Sequence, residues 1–517
     1  MAEEDDAAAA DALSASDLHF VFACGLSASD LATCALVSKF WRHAVQSAPC
    51  WRSILSSDYG IVGAPHGPPS TETEGDVPLA PCTAYGLWAR SDYGKFGATW
   101  MRAGRAWKAV EAFLDAQEGN DVARSMRESL CAGATEEHID TVEAQIMTLL
   151  GLDASTKLPV AYRAILRHHD GQDLLFDRER GRTEASIRTA FHGLFGGYIV
   201  YDHCVNVRLY SIQQALDTTT WLRNQGSPVS LHDTHIVIAA SFNFSKCFTM
   251  DVCTGNIYCA TVMGNDPDDS VPACPVSEKD GEHDAVLRWF EHYARLVDAD
   301  VYDFEELQAG EDVTKGLSLF PVRESPFGTD LPAWSAPWRR VDASVAPTPR
   351  PVAPTDGSIP LLGPSIAITQ GVRVACAAVM LAEHGIRRNG DRVVCGFAYS
   401  VRYDMPSMHE LRTLGCAPGS AADAQLDSRH WLFTDGAGKV NEVRGKAVIG
   451  LHPHLQQAAD GAARNPFVYQ SQTGPTVVTT HMRGGFDFVP GTLQRPMGPT
   501  FYARCNELVL DVPRYVR

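Results

Sequence analysis

No uncharged apolar run in this chain of 517 residues approaches the roughly 20 residues that a helical membrane span requires. The opening stretch, MAEEDDAAAADAL, lacks the positive and apolar segments of a secretory leader, so a site of action in cytoplasm and/or nucleus is expected. Positive charge is scarce too. The 44 Lys and Arg are outnumbered by 62 Asp and Glu, a net charge of −18, and no basic stripe offsets a field that repels phosphate backbones. The 14 cysteines, scattered from Cys24 to Cys505, form no CxxC pair and read as reduced thiols. Even the tightest group, Cys247, Cys253 and Cys259 in KCFTMDVCTGNIYCA, lacks the close pairs and fourth ligand of a zinc site. In strands such cysteines are small buried hydrophobes. Neither nucleic acid nor membrane is expected as partner, and neither metal nor cofactor is expected.

What is present suits a globular protein: 45% hydrophobic and 21% charged residues, over a length that exceeds one hydrophobic core. Two stretches break the periodicity. IVGAPHGPPSTETEGDVPLAP (61–81) is rich in Pro, Gly, Ser and Thr, and Ser325 to Pro364 includes SAPWRRVDASVAPTPRPVAPTDG. Neither can bury enough apolar surface to offset the entropy of ordering, so both read as linkers.

Ahead of the first linker, Ser-Ala-Ser-Asp occurs at 14–17 and again at 27–30, each time before a Leu, as at helix starts. Gly25 stands where the first helix would stop. Val37, Phe40, Trp41, Ala44 and Val45 form one apolar helical stripe, closed by Pro49. So small a piece rarely sustains a core alone. Its many large apolar side chains must be covered, either by the central region or by another protein.

The residues Leu26, Asp30, Leu31, Val37, Ser38, Trp41, Arg42 and Trp51 resemble an F-box in order and spacing. The resemblance implies docking on a Skp-type adaptor, and through it on a cullin, by Leu13, Leu18, Phe22, Leu26, Leu31, Leu36, Val37, Trp41 and Trp51. Family members usually carry Leu-Pro where this chain has Leu13-Ser14, which implies a weaker adaptor contact.

In the central region, Trp100, Ala103, Trp107, Val110 and Leu114 share a helix face suited to packing. Two more helices follow, one through Ile139, Val142, Ile146 and Leu149 and one from Pro159 with Ala161, Ile165 and Leu166. Strand-like runs GGYIVYD, HIVIAASF, SKCFTMDV and GNIYCATVM precede a helix, HDAVLRWFEHYARLV, which predicts an α+β domain. The stretch LGLDASTKLPVAYRAILRHHDGQ resembles the opening of a SUKH (Smi/Knr-like) domain, which implies a protein-binding module. His168 and His169, adjacent on a helix, diverge by about 100° and read as a solvated helix end.

From Ile366 onward, seven or so short strands with Gly, Pro, Asn and Asp turns and no clear helix predict an antiparallel β-sandwich. In QLDSRHWLFTDGAGKVNEVRGKAVIG (425–450), strict alternation places Leu426, Ser428, His430 and Leu432 on one face and Asp427, Arg429, Trp431 and Phe433 on the other. Ser428, His430 and Asp435 suggest a catalytic triad by type alone. Asp435 falls in the turn, and no nucleophile elbow or oxyanion loop accompanies them. Gly445-Lys-Ala447-Val-Ile-Gly450 nearly spells a dinucleotide loop, but Ala447 replaces the middle glycine and Pro453 opposes the helix such a loop needs.

The runs Gly371–Val374, Phe397–Ser400, Gln425–Trp431, Thr434–Lys439, Val443–Gly450, Tyr469–Ser471 and Met482–Gly484 together resemble ApaG. That implies a fibronectin-III-like sandwich and a binding hairpin, with His430 and Trp431 fixing the sandwich and an anion role at Arg429, Arg444, Gly445, Lys446 and Gly450. The order of the three segments resembles F-box proteins of the plant Skp-interacting and animal F-box-only type. The expected division is an all-α F-box over 13–58, a linker over 59–97, connecting helices over 98–130, an α+β SUKH domain over 131–322, a Pro-rich linker over 323–364 and an all-β ApaG domain over 365–517. The implied function is the non-catalytic, target-binding subunit of an SCF-type ubiquitin ligase. The alternative is an anion- or metabolite-binding regulator.

Overall fold

A computed structural model gives the chain from residue 14 to 513 apart from 16–17, 20–21, 23–25, 27, 60–78, 91–96, 174–191, 202, 225–230, 261–269, 275–282, 310–311, 324–363, 390–391, 420 and 463–464. Leu13 and nearly all of the expected Pro-rich linker lie outside the described residues.

The N-terminal unit contains α1 (Ala28–Cys34), α2 (Lys39–Ser47) and α3 (Cys50–Tyr59). Ser38 caps α2, its Oγ accepting from the Trp41 amide at 3.2 Å, and so satisfies an orphan donor of the first turn. Leu18, Phe22, Leu31, Ala44, Val45 and Trp51 close a small core of their own. The Trp51 indole N–H is satisfied inside it by the Val45 carbonyl at 2.7 Å. Residues 81–90, expected as linker, form α4 (Pro81–Arg90), with Trp88 fully buried and Tyr85 against Trp51 at a ring separation of 5.0 Å. Aromatic burial outweighs the Pro-rich lead-in here.

The central region opens with α5 (Gly97–Asp115) and α6 (Asp121–Glu128), and then α7 (Glu136–Leu150) and α8 (Val160–His168). Helix α5 is a core helix rather than a connector. The indole N–H of Trp107 donates to the Ile165 carbonyl at 3.1 Å, and its ring lies 4.6 Å from Phe290. An antiparallel sheet follows in simple meander order: β1 (Gly197–Val200), β2 (His203–Leu209), β3 (His235–Ser241), β4 (Cys247–Asp251), β5 (Ile257–Ala260) and β6 (Val271–Pro272). Helix α9 (Ile212–Asn224) joins β2 to β3, α10 (Ala285–Asp298) covers the sheet, and β7 (Phe304–Ala309) pairs with β8 (Asp312–Leu317). Neither β2 nor α9 was expected. The run TTT in α9 is β-branched and a poor helix former. Tertiary context rescues it: Thr219 Oγ1 donates to the Ala215 carbonyl at 2.7 Å and accepts the Val237 amide at 3.0 Å.

The expected solvated histidine pair is corrected as well. His168 stacks on Trp100 at 4.5 Å, and His169 lies between the Cys131 carbonyl (2.7 Å) and Glu111 (3.1 Å). They diverge as their helical spacing requires, but each packs against a tryptophan of α5.

In the C-terminal domain two antiparallel sheets face each other. One runs β17 (Phe467–Gln472), β13 (Phe397–Asp404), β10 (Val372–Met380), β9 (Ser365–Thr369). The other runs β15 (Val440–Lys446), β14 (Asp423–Thr434), β19 (Thr480–Pro490), β20 (Phe501–Leu510), with β16 (His454–Gln456) also on β14. A small third sheet joins β11 (Arg387–Asn389), β12 (Arg392–Cys395) and β18 (Thr476–Val477). One helical turn and a half, α11 (Met408–Thr413), interrupts the strands where no helix was expected, capped by Ser407. Tyr403, Trp431, Tyr469, Phe486 and Phe488 fill the space between the sheets.

Strict alternation fails in β14. A bulge shifts the register between Leu426 and Ser428, so Leu426 and Trp431 both point inward although five residues apart. Arg429 and Phe433 share the inward side with Trp431, while Ser428 and His430 lie on the outer face. Trp431 sits edge-on to Phe486 at 5.2 Å and its Nε1–H reaches the Tyr469 hydroxyl at 3.4 Å.

Candidate functional site

Two surfaces merit attention, one at each end of the chain. In the N-terminal unit, helix α2 and the turn before it carry more apolar side chains than the unit's own core covers. Ala44 and Val45 turn inward and Trp41 is half-buried, while Leu36, Val37 and Phe40 remain 78%, 53% and 38% exposed. Of the residues expected to bind an adaptor, Leu18, Phe22, Leu31 and Trp51 are inside the unit, Leu26 and Trp41 are half-buried, and Leu36 and Val37 are at the surface. The apolar stripe read from the sequence is therefore split between an inner and an outer part. Phe40 belongs to the outer part.

At the other end, the structure separates the three groups of the suggested triad. Ser428 Oγ donates to Asp487 at 2.7 Å. His430 Nε2 is 3.0 Å from the Glu442 carboxylate, and its Nδ1 is 3.5 Å from the Tyr502 hydroxyl. Asp435 accepts the amides of Ala437 (3.0 Å) and Lys439 (2.9 Å), a turn-forming role. No proton path links serine, histidine and this carboxylate. His430 thus braces the outer sheet face, and Trp431 alone of the pair enters the core.

The five residues expected to hold an anion fall on the β14–β15 hairpin and the turn after it. Arg429 Nη1 donates to the carbonyls of Lys446 (3.2 Å) and Ala447 (2.7 Å). Gly445 makes room for that guanidinium, since a Cβ there would stand 3.1 Å from it. Lys446 Nζ pairs with Asp427 at 2.5 Å and Arg444 Nε with Glu442 at 2.5 Å. Gly450, with φ +79°, ends a turn that leads to β16 rather than to a helix, so the amide cluster of a phosphate loop is not formed. Two of the three cations are already neutralised inside the hairpin.

Sequence reasoning missed the groove beside this hairpin. Trp431, Phe433 and Val443 line one wall and Tyr399, Tyr469 and the 473–477 segment the other, enclosing about 930 Å³. Tyr201, in the β1–β2 turn of the central region, forms its lip, with its hydroxyl 3.3 Å from Ser471 Oγ. No local pattern foretells such a groove, because strands remote in sequence build it.

Sequence reasoning also missed the seam between the central and C-terminal domains. Glu383 is fully buried beside Tyr198, which donates to it, His203 (2.9 Å) and Lys246 (3.6 Å). Burial pushes its carboxyl up, but Lys246, His203 and Tyr198 outweigh that and hold it at about 2. Arg402 of β13 pairs with Glu305 of β7 and donates to the Phe320 carbonyl at 3.0 Å. Cys247 and Cys259 are buried and Cys253 exposed, and among the described residues no cluster could ligate a metal.

Comparison with known proteins adds four findings. Residues 388–490 match the family defined as the ApaG domain. The F-box protein SKIP16 of Arabidopsis thaliana is 26% identical over 511 residues, covering 96% of this chain and 98% of that protein. The protein ApaG of Chromobacterium violaceum is 33% identical over 118 residues, 23% of this chain and 75% of that protein. ApaG of Bdellovibrio bacteriovorus is 44% identical over 90 residues, with 62% of its length spanned. Through the region that forms the C-terminal sandwich, the chain belongs to the ApaG family.

Proposed function

We propose that the protein is the substrate-recognition subunit of an SCF-type cullin ubiquitin ligase. The N-terminal helices are an F-box that docks on a Skp-type adaptor, and the central, SUKH-like domain and the ApaG domain hold the target protein. The observation that carries this reading is the trio Leu36, Val37 and Phe40, left in water by a helical unit whose own core is already closed. Each such side chain, once buried, contributes roughly 1.5–3 kcal/mol, so a partner surface completes what the chain leaves open. Similarity to an F-box protein along almost the whole length supports the same assignment.

The buried members of the F-box pattern hold the helices in place, and the exposed members make the contact. The protein performs no bond chemistry of its own. It raises the effective concentration of a target lysine near a charged carrier enzyme. Cytoplasm and nucleus, where thiols stay reduced, are the compartments this role requires. The hairpin cations do not favour an anion-sensing role, since Lys446 and Arg444 are tied to Asp427 and Glu442.

Affinity capture of the full chain from cell extract, scored for Skp adaptor and cullin, tests the proposal. Both are expected to co-purify with the wild type, and both to be lost from a Leu36→Asp/Phe40→Asp double variant whose thermal unfolding is unchanged. Capture of neither by the wild type contradicts the assignment.

A further inference from the structure

The two sheets of the C-terminal sandwich are not closed equally at their sides. β9 and β20 meet on one side, where Ser365 Oγ donates to the Asn506 carbonyl at 2.8 Å and Asn506 Nδ2 to the Ile366 carbonyl at 2.7 Å. On the other side the sheets end in β17 and β15, and the groove lies between these two edges. Among the described residues β15 pairs with β14 alone, and five of its seven residues form an exposed run, Val440–Arg444.

The direction of its backbone groups follows from the ladder. The Asp435 amide donates to the Lys439 carbonyl at 3.0 Å and the Ala447 amide to the Asp427 carbonyl at 3.0 Å, one at each end of the hairpin. Counting in twos from either end, Asn441, Val443 and Gly445 aim their N–H and C=O at β14. Val440, Glu442, Arg444 and Lys446 aim theirs away from the sheet. Exposed edges of this kind recruit another strand unless blunted. This one borders the groove, onto which Val443 opens at 37% exposure.

Charge selects the occupant. Of the charged residues lining the groove Lys446 is paired with Asp427, which leaves Arg429 and Lys439 against Asp435 alone, and Asp435 is turned onto its own loop amides. Arg429 is held by carbonyls, not by a carboxylate, so its charge is not neutralised there. In a chain of net charge −18 this is a local positive field.

We propose that the groove binds an extended acidic segment of the target protein by strand addition to β15, the alternate side chains that face the groove being carboxylates that meet Lys439 and Arg429. The seven residues of β15 match a segment of about six to eight residues at roughly 3.3 Å each. This rests on the substrate-receptor reading and supplies its recognition chemistry.

The test uses the full chain and a labelled synthetic peptide, acetyl-(Glu-Val)4-amide, followed by fluorescence anisotropy. The peptide is expected to bind and its (Lys-Val)4 counterpart not to bind. Glu442→Pro removes an outward N–H without touching the β14 ladder, and also removes a negative charge, so pure electrostatics would tighten binding. Strand addition instead predicts roughly tenfold weaker binding. Lys439→Glu, on the exposed turn, weakens the peptide also and keeps the test decisive should the proline variant fail to fold. Absence of binding at millimolar peptide, equal binding of both peptides, or an unchanged affinity in folded Glu442→Pro overturns the proposal. So does displacement of the peptide by equimolar pyrophosphate, which would mark a small-anion site. Adaptor capture scored on the same preparations separates the two readings: its loss with peptide binding intact overturns the ligase role alone, and the reverse outcome overturns only the groove.

Discussion

Glu383 and Lys246 are both out of solvent and 3.6 Å apart in the seam, with His203 2.9 Å from the same carboxylate. Removing one partner of such a pair leaves an uncompensated buried charge. Glu383→Gln is expected to lower stability by about 3–5 kcal/mol in denaturant unfolding, and Glu383→Gln/Lys246→Met to recover most of it. Ala447 occupies left-handed backbone, φ +62°, at the position where the ApaG-like glycine spacing has a glycine. Ala447→Gly relieves that strain and should raise stability by about 0.5–1 kcal/mol, read from the denaturation midpoint.

Burial lowers His168 and His235 to about 4, so both are neutral in the folded protein. Their stabilising contribution is whole above the ordinary value of 6.5 and is lost as pH falls from there toward 4. Glu383, held at about 2, keeps its contribution until pH drops below its ordinary 4.5. Thermal unfolding should therefore shift down between pH 6.5 and 4.5, and His168→Asn should flatten part of that slope. His235, Lys246 and Glu383 were not legible as special, and His168 read as solvated, since burial and charge partners come from tertiary contact.

At the scale of elements, residue pattern succeeds where one rule governs and fails where two compete. Helix α7 follows from its apolar spacing and from a Thr135 cap that accepts the His138 amide at 3.1 Å. Strand β14 was legible as a strand, but its faces were not, because a single bulge inverts alternation beyond Leu426. Helix α9 was hidden by its threonines, which packing against β3 makes acceptable. The stripe on α2 was legible as apolar, though only packing shows that Ala44 and Val45 are spent inward while Phe40 is not. The groove owes its existence to β15 and β17 both being edges, a property of sheet order and not of any segment.

For the whole molecule, the central region and the ApaG domain share a continuous apolar core crossed by the Glu383 and Arg402 clusters, whereas Leu18, Phe22, Leu31, Ala44, Val45 and Trp51 keep a separate core, joined to the larger one through Leu55 and Tyr59 of α3. The linkers in the sequence suggested three independent beads. Two of the three are welded. Calorimetry should show the central and ApaG regions melting together, and Glu383→Gln/Arg402→Gln should split that transition in two. The N-terminal unit, by contrast, presents its patch without disturbing the other two, as a docking piece requires. The most direct measurement is therefore titration of purified Skp-type adaptor into the full chain by calorimetry. A one-to-one complex is predicted, lost in Leu36→Asp/Phe40→Asp and retained in Glu442→Pro. Absence of heat and of co-elution with the wild type, or undiminished binding by the double variant, would contradict the account.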